Sequence, residues 1–152
     1  MENNYFVKLN DINVSGKTER RNGLTYLSWA WAWAELKKIH PTANYKVYEQ
    51  DNGCIYWTDG KTAWVKTSIT IDNIEHVEYL PVMDFRNKSI PIDAITSFEV
   101  NKTIQRSLTK AIARHGLGLY IYAGEDLPES EPKSKREEPA KIDTQQYAAY
   151  KI

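Results

Sequence analysis

Lys102, Arg106, Lys110 and Arg114 recur at intervals of four residues in a stretch, Val100 to Gly124, that holds no Asp or Glu. On a helix that spacing builds a ridge of cations about one turn, roughly 5 to 6 Å, apart. A ridge without internal carboxylates suits the phosphates of a nucleic-acid strand, because nothing inside it neutralises the charge first. Ile104, Leu108, Ala111, Ile112 and His115 fall on the opposite side of the same helix, so one face packs while the other stays cationic. A merely solvated basic face accounts for such a ridge equally well. Lys66, on the polar side of a strand, and Arg86 and Lys88, in the loop before the helix, add weight to phosphate binding. Lys17, Arg20 and Arg21 are further candidates. Tyr56, Trp57, Trp64 and Tyr79 offer stacking platforms for bases, although core or subunit contacts fit most of them better.

Other chemistries find less support. Gly16-Lys17-Thr18 and Gly60-Lys61-Thr62 echo the end of a phosphate-binding loop, but the earlier glycine it requires is Asp11 in one case and Ile55 in the other. Asp84 and Asp93 are conceivable as the metal pair of a nuclease, yet no Glu-x-Lys partner accompanies them in the folded part, and turn formation accounts for both. One cysteine, Cys54, and three histidines, His40, His76 and His115, leave a zinc site dependent on carboxylates. His115 lies on the packing face and reads as a core or C-cap residue. No catalytic residue, metal or cofactor is expected, and the chain reads as a non-enzyme.

Twenty basic and twenty acidic side chains give zero net charge, which alone argues against a nucleic-acid binder. Charge is separated by segment, however, and a local patch steers a polyanion even on a neutral protein. Residues 100–124 carry +4, whereas residues 125–152 carry seven acids and five bases, a net −2. No apolar run approaches the roughly 18 to 20 residues of a membrane span. The start Met1-Glu2-Asn3-Asn4 lacks the pattern of a signal peptide, and a lone cysteine excludes an internal disulfide. A cytoplasmic location is the expectation.

These residues need elements to position them. Ser28 is a good N-cap, and the pattern predicts a first helix to about Ile39, before Pro41. Trp29, Trp33 and Leu36 form its core-facing stripe, while Trp31 falls on the opposite side with Glu35 and Lys38. An indole there is either covered by another element or left for a neighbouring subunit; Trp31 is therefore a candidate oligomer contact. Tyr45–Glu49, Cys54–Trp57, Trp64–Ile71 and Glu75–Val82 read as strands of an antiparallel meander, with turn signals at Asn52-Gly53, Asp59-Gly60 and Asp72-Asn73. Val65, Ile69 and Ile71 alternate with Lys66, Ser68 and Thr70, so one sheet face is buried and the other polar. After an irregular stretch the second helix, the one with the ridge, runs from about Phe98 to His115 and stops at Gly116. The fold class expected is α+β: a β-meander packed against a long basic amphipathic helix, with an N-terminal helix. Residues 1–127 read as one domain, and residues 128–152, rich in Pro, Glu, Ser and Lys, as a disordered polar tail.

Three blocks carry a resemblance. Tyr26-Leu27-Ser28-Trp29-Ala30, then Pro81-Val82-Met83-Asp84 with Arg86-Asn87-Lys88, and then Asn101 to Ala111 running into His115-Gly116-Leu117-Gly118 and on to Leu127 resemble phage single-strand annealing proteins of the Sak group. The resemblance spans about residues 5–128 and leaves the tail out. That group is similar, at a distance, to the eukaryotic Rad-type annealing proteins, with a β-β-β-α core and ring assemblies whose basic groove holds single-stranded DNA, backbone inward and bases exposed. The resemblance implies ATP- and metal-independent annealing of complementary strands in phage recombination, inside the bacterial host cell. It also implies homo-oligomers, as ring or filament, and places Lys102, Arg106 and Lys110 in the groove with Arg86 and Lys88 as neighbours and Arg114 less securely. Plain protection of single strands without annealing is the alternative. In the tail, Tyr147, Tyr150 and Ile152 are candidate contacts for a single-strand-binding protein.

Overall fold

The computed structural model describes residues 4–123; the tail read as disordered lies outside the described residues. A short helix, α1 (Tyr5–Asn10), opens it, capped by Asn4, whose side chain accepts from the Val7 N–H. A hairpin follows, β1 (Thr18–Arg21) and β2 (Leu24–Leu27). Its turn is Asn22-Gly23, both at positive φ, as a tight two-residue hairpin turn requires. Sequence reasoning missed both elements, although Asn-Gly between strand-like residues is a strong hairpin signal.

The first expected helix is α2 (Trp29–Ile39), with Ser28 Oγ accepting from the Trp31 N–H at 3.3 Å. The sheet comprises β3 (Asn44–Val47), β4 (Trp57–Thr58), β5 (Ala63–Ile71) and β6 (Ile74–Pro81), all antiparallel to their partners. The meander differs from expectation at one corner. β3 pairs with Thr67–Thr70 of β5 and β4 with Ala63–Trp64, so both line the same edge of β5 end to end. Asn52-Gly53 therefore turns within an excursion of one interrupted edge strand rather than between paired strands. Counted that way, three lines of strand precede the long helix, a β-β-β-α order. Asp72 and Asn73, at φ 48° and 69°, make the tight turn into β6.

The ridge-bearing helix is α3 (Ser97–Arg114), which lies across β5 and β6. Thr96 and Glu99 form a capping box: the Glu99 carboxylate accepts from the Thr96 N–H at 2.8 Å. That backbone hydrogen bond holds the Glu99 carboxyl below its ordinary range. Residues 63, 65, 67, 69 and 71 of β5 face the helix, as the 2.8 Å bond between the Thr67 and Ser107 hydroxyls shows. One core cluster, with Val65, Leu80, Val82, Val100 and Ile104, lies toward the start of α3. The other, with Leu9, Leu27, Leu36, Ile69, Ile112 and Leu117, joins α1, α2 and the end of α3. Leu108 touches both. The stripe drawn on α2 needs revision: Ala32 and Leu36 are its buried residues, Trp29 is 50% exposed, and Trp31 packs partly buried against the second cluster.

The three histidines meet where α1 docks. His115 is fully buried, its Nε2 2.8 Å from the Ile69 carbonyl and its Nδ1 3.1 Å from the Tyr5 hydroxyl. The carbonyl can only accept, so Nε2 carries the proton and Nδ1 accepts from Tyr5. The His76 ring lies 4.3 Å from that of His115, and His40 packs edge-on to Tyr5. Burial, with smaller contributions from His76 and His40, lowers the His115 pKa from its ordinary 6.5. The unfolded chain therefore binds this proton more readily than the folded one, and stability falls as pH drops through and below 6.5. Urea midpoints are expected to fall between about pH 7.5 and pH 5.5, with a shallower fall in H115Q.

Candidate nucleic-acid interface

The exposed side of α3 carries the ridge, and an aromatic ring attends each of its first three cations. Lys102 Nζ lies 5.3 Å from the Phe98 ring centroid, one turn back on the same helix. The Arg106 guanidinium stacks 4.5 Å from the Tyr26 ring of β2, and Lys110 Nζ lies 5.4 Å from Tyr122, just beyond the helix. A ring face attracts a cation without consuming its charge. None of the three is ion-paired among the described residues. Between the hairpin and α3 opens a small cleft of about 80 Å³, walled by Tyr26, Trp29, Arg106, Lys110 and Tyr122.

Arg114 is placed differently. Its Nε and a terminal nitrogen lie 2.7 and 3.3 Å from the two carboxylate oxygens of Glu78, whose side chain is only 10% exposed. The cation is thereby committed to neutralising a nearly buried carboxylate on β6. R114A is expected to lower stability by about 1 to 2 kcal/mol, since it strands Glu78 while Arg114 itself is half in water. Thermal unfolding should move down by roughly 2 to 8 °C, with a much smaller loss of single-strand affinity than ridge variants show.

Arg86 and Lys88 sit on the loop between β6 and α3. Asp84 Oδ1 accepts from the backbone N–H groups of Arg86 and Lys88, at 2.8 and 3.1 Å, so its carboxylate closes the loop. Side chains then tie that loop to the hairpin. Tyr26 donates to Asn87 Oδ1 at 2.9 Å, Asn87 Nδ2 donates to the Asn22 carbonyl at 3.3 Å, and Asn22 Nδ2 donates to the Phe85 carbonyl. Because the Tyr26 ring also carries Arg106, one residue couples loop, hairpin and helix. The structure thus gathers Lys102, Arg106 and Lys110 on one helix side, with Arg86 and Lys88 on a loop linked to it.

Lys66 is not gathered with them. It projects from the sheet face opposite α3, where its Nζ lies 4.4 Å from the Tyr48 ring and 5.7 Å from Tyr79. Trp57 and Trp64 pair across strands on that sheet, away from the ridge. The rings beside the cations are instead Tyr26, Phe85, Phe98 and Tyr122. Phe98 was legible as the residue one turn before Lys102, whereas Tyr26 lies 80 residues from Arg106, and nothing in the sequence near either residue pairs the two. Arg20 is held by its own hairpin, through Thr25 and the Gly23 carbonyl, and Arg21 pairs with Glu19.

Among the described residues no group of His, Cys, Asp and Glu is arranged to hold a metal ion. None of their helices is long and apolar enough to cross a membrane.

Sheet, capped helix and ring-backed ridge define an α+β domain with a cationic outer edge. The chain belongs to the Sak family of single-strand annealing proteins: residues 4–150 match the family described as Sak Single Strand Annealing Protein. The match therefore continues past residue 128, where the resemblance read from the motifs stops, and takes in most of the tail. Single-strand annealing is the work that family name describes. No curated protein and no solved structure matches the chain.

Proposed function

We propose that this protein binds single-stranded DNA along the α3 ridge and anneals complementary strands without ATP, metal or covalent chemistry. The observation that carries the reading is the row Lys102, Arg106 and Lys110, each supported by a ring and none paired with a carboxylate among the described residues. Three cations one turn apart neutralise neighbouring phosphates and lower the repulsion between two strands. Arg86 and Lys88, on the tethered loop, extend the row.

Homo-oligomers, as ring or filament, belong to the same proposal, because repetition of weak sites multiplies affinity. A largely apolar groove of about 530 Å³ between α2, α3 and β3, bordered by Trp29, Trp33, Tyr45 and Leu108, supports a protein contact on that side. Trp31, proposed as an oligomer contact, has intramolecular cover, and Trp29 is the more exposed indole. The proposal also includes action in the cytoplasm of the host cell and a contact between the tail and a single-strand-binding protein.

The test is a fluorescence annealing assay with complementary oligonucleotides in EDTA and without nucleotide. Faster pairing with the protein than without it is expected. Binding accompanied by slowed pairing would replace annealing with simple protection of single strands.

A further inference from the structure

Among the described residues, Phe85 and Phe98 are the two most exposed large hydrophobic side chains, at 73% and 67%. Single exposed apolar residues are ordinary on a protein surface. Phe85 differs in how firmly it is presented. Its loop is closed by Asp84, bridged at its base between Met83 and Ser89, and bound to the hairpin through Asn22, Asn87 and Tyr26. Asn87 sits at φ 63°, a left-handed turn conformation that asparagine tolerates.

The chemistry beside the ring narrows what it meets. The Arg86 guanidinium lies 5.2 Å from the Phe85 centroid, and Lys88 follows two residues later. Between Met83 and Ser89 the only carboxylate is Asp84, which turns one oxygen to the backbone N–H groups of Arg86 and Lys88, so this segment carries two cations to one anion. An apolar protein surface would have to desolvate those cations without compensation. A nucleotide offers both complements at once, a π face for the ring and a phosphate for the cations.

We propose that Phe85 is a base-stacking residue: a nucleobase of the bound single strand lies on its ring while Arg86 and Lys88 hold adjacent phosphates. The proposal rests on the single-strand-binding reading above and adds a base contact to what is otherwise a backbone site. It assigns the tethered loop the task of fixing where along the strand a base is held out of line with its neighbours.

Base stacking is separable from phosphate binding by removing the bases. The full-length protein would be titrated, by fluorescence anisotropy, with an oligothymidylate of about 30 nucleotides and with an abasic strand of equal length. The wild type is expected to prefer the oligothymidylate. F85A should weaken that binding by about five- to 150-fold, the range for loss of one stacked base, and leave abasic binding unchanged, while F85W restores the preference. Equal losses on both strands, no loss on either, or a wild type indifferent to the bases would overturn the proposal. So would a drop in assembly mass by light scattering in F85A, which would make the ring a subunit contact. The ridge variant K102A/R106A/K110A keeps the two readings apart. If it binds like the wild type, the ridge reading fails; if it weakens both strands while F85A changes neither, only the stacking proposal fails.

Discussion

Replacing Lys102, Arg106 and Lys110 together by Ala is expected to cost about a hundredfold in affinity for single-stranded DNA near 0.1 M monovalent salt. Each phosphate contact on a single strand contributes about 0.7 to the slope of log affinity against log salt, so three contacts amount to about two orders of magnitude at that concentration. The same reasoning predicts that the slope itself becomes shallower by about 2. That second reading matters, because a misfolded variant loses affinity without a defined change in slope. Stability should change little: the three side chains lie outside the core clusters, and Ala is a better helix former than either cation. Annealing should fall in parallel with binding. An unchanged salt slope would mean that the ridge is only a solvated face.

Gly116→Ala is expected to damage the fold itself. Gly116 ends α3 at φ +127°, a region closed to side chains, and an added Cβ would lie 2.5 Å from the Phe6 carbonyl oxygen and 3.2 Å from the Asn10 nitrogen. Those are backbone atoms of α1, so the helix must retreat to make room. Strained backbone costs about 1 to 3 kcal/mol, and undocking α1 also frees Tyr5 from His115. A total of about 3 kcal/mol corresponds to a fall in Tm of roughly 6 to 12 °C for a chain of this size. Gly118→Ala is the useful contrast. Its φ of +77° is also left-handed, but the near atom is a Leu27 methyl at 2.9 Å, a side-chain end in the core and not backbone, so the loss should be smaller. Thermal unfolding followed by circular dichroism would rank the two, and an unchanged Tm in G116A would refute the account of how α1 is seated.

Several features were legible because they are local. The i, i+4 cations and the apolar face opposite them describe α3 without reference to anything else, and Gly116 marks its end. Asp59-Gly60 and Asp72-Asn73 specify their turns through backbone preferences that short side chains and glycine satisfy. The Sak motifs were readable as strings. The β1–β2 hairpin is equally local, in Asn22-Gly23, but the polar stretch before it masks the strand pattern.

Residue type and spacing by themselves determined an α+β chain with a cationic helix side, and they named the cations. The tertiary structure alone decided which face each cation occupies and which has a carboxylate partner among the described residues. Strand register turns Glu78 toward α3 and commits Arg114 to it; strand alternation, once the helix covers the Val65 side, sends Lys66 to the far face. Helix packing likewise gave Trp31 cover and left Trp29 half in water. Tyr26, distant in sequence, comes under Arg106 and anchors the loop bearing Phe85. The reason is physical: a periodicity fixes the side from which a residue projects, but pairing depends on what packing brings to that side, and those partners lie tens of residues away.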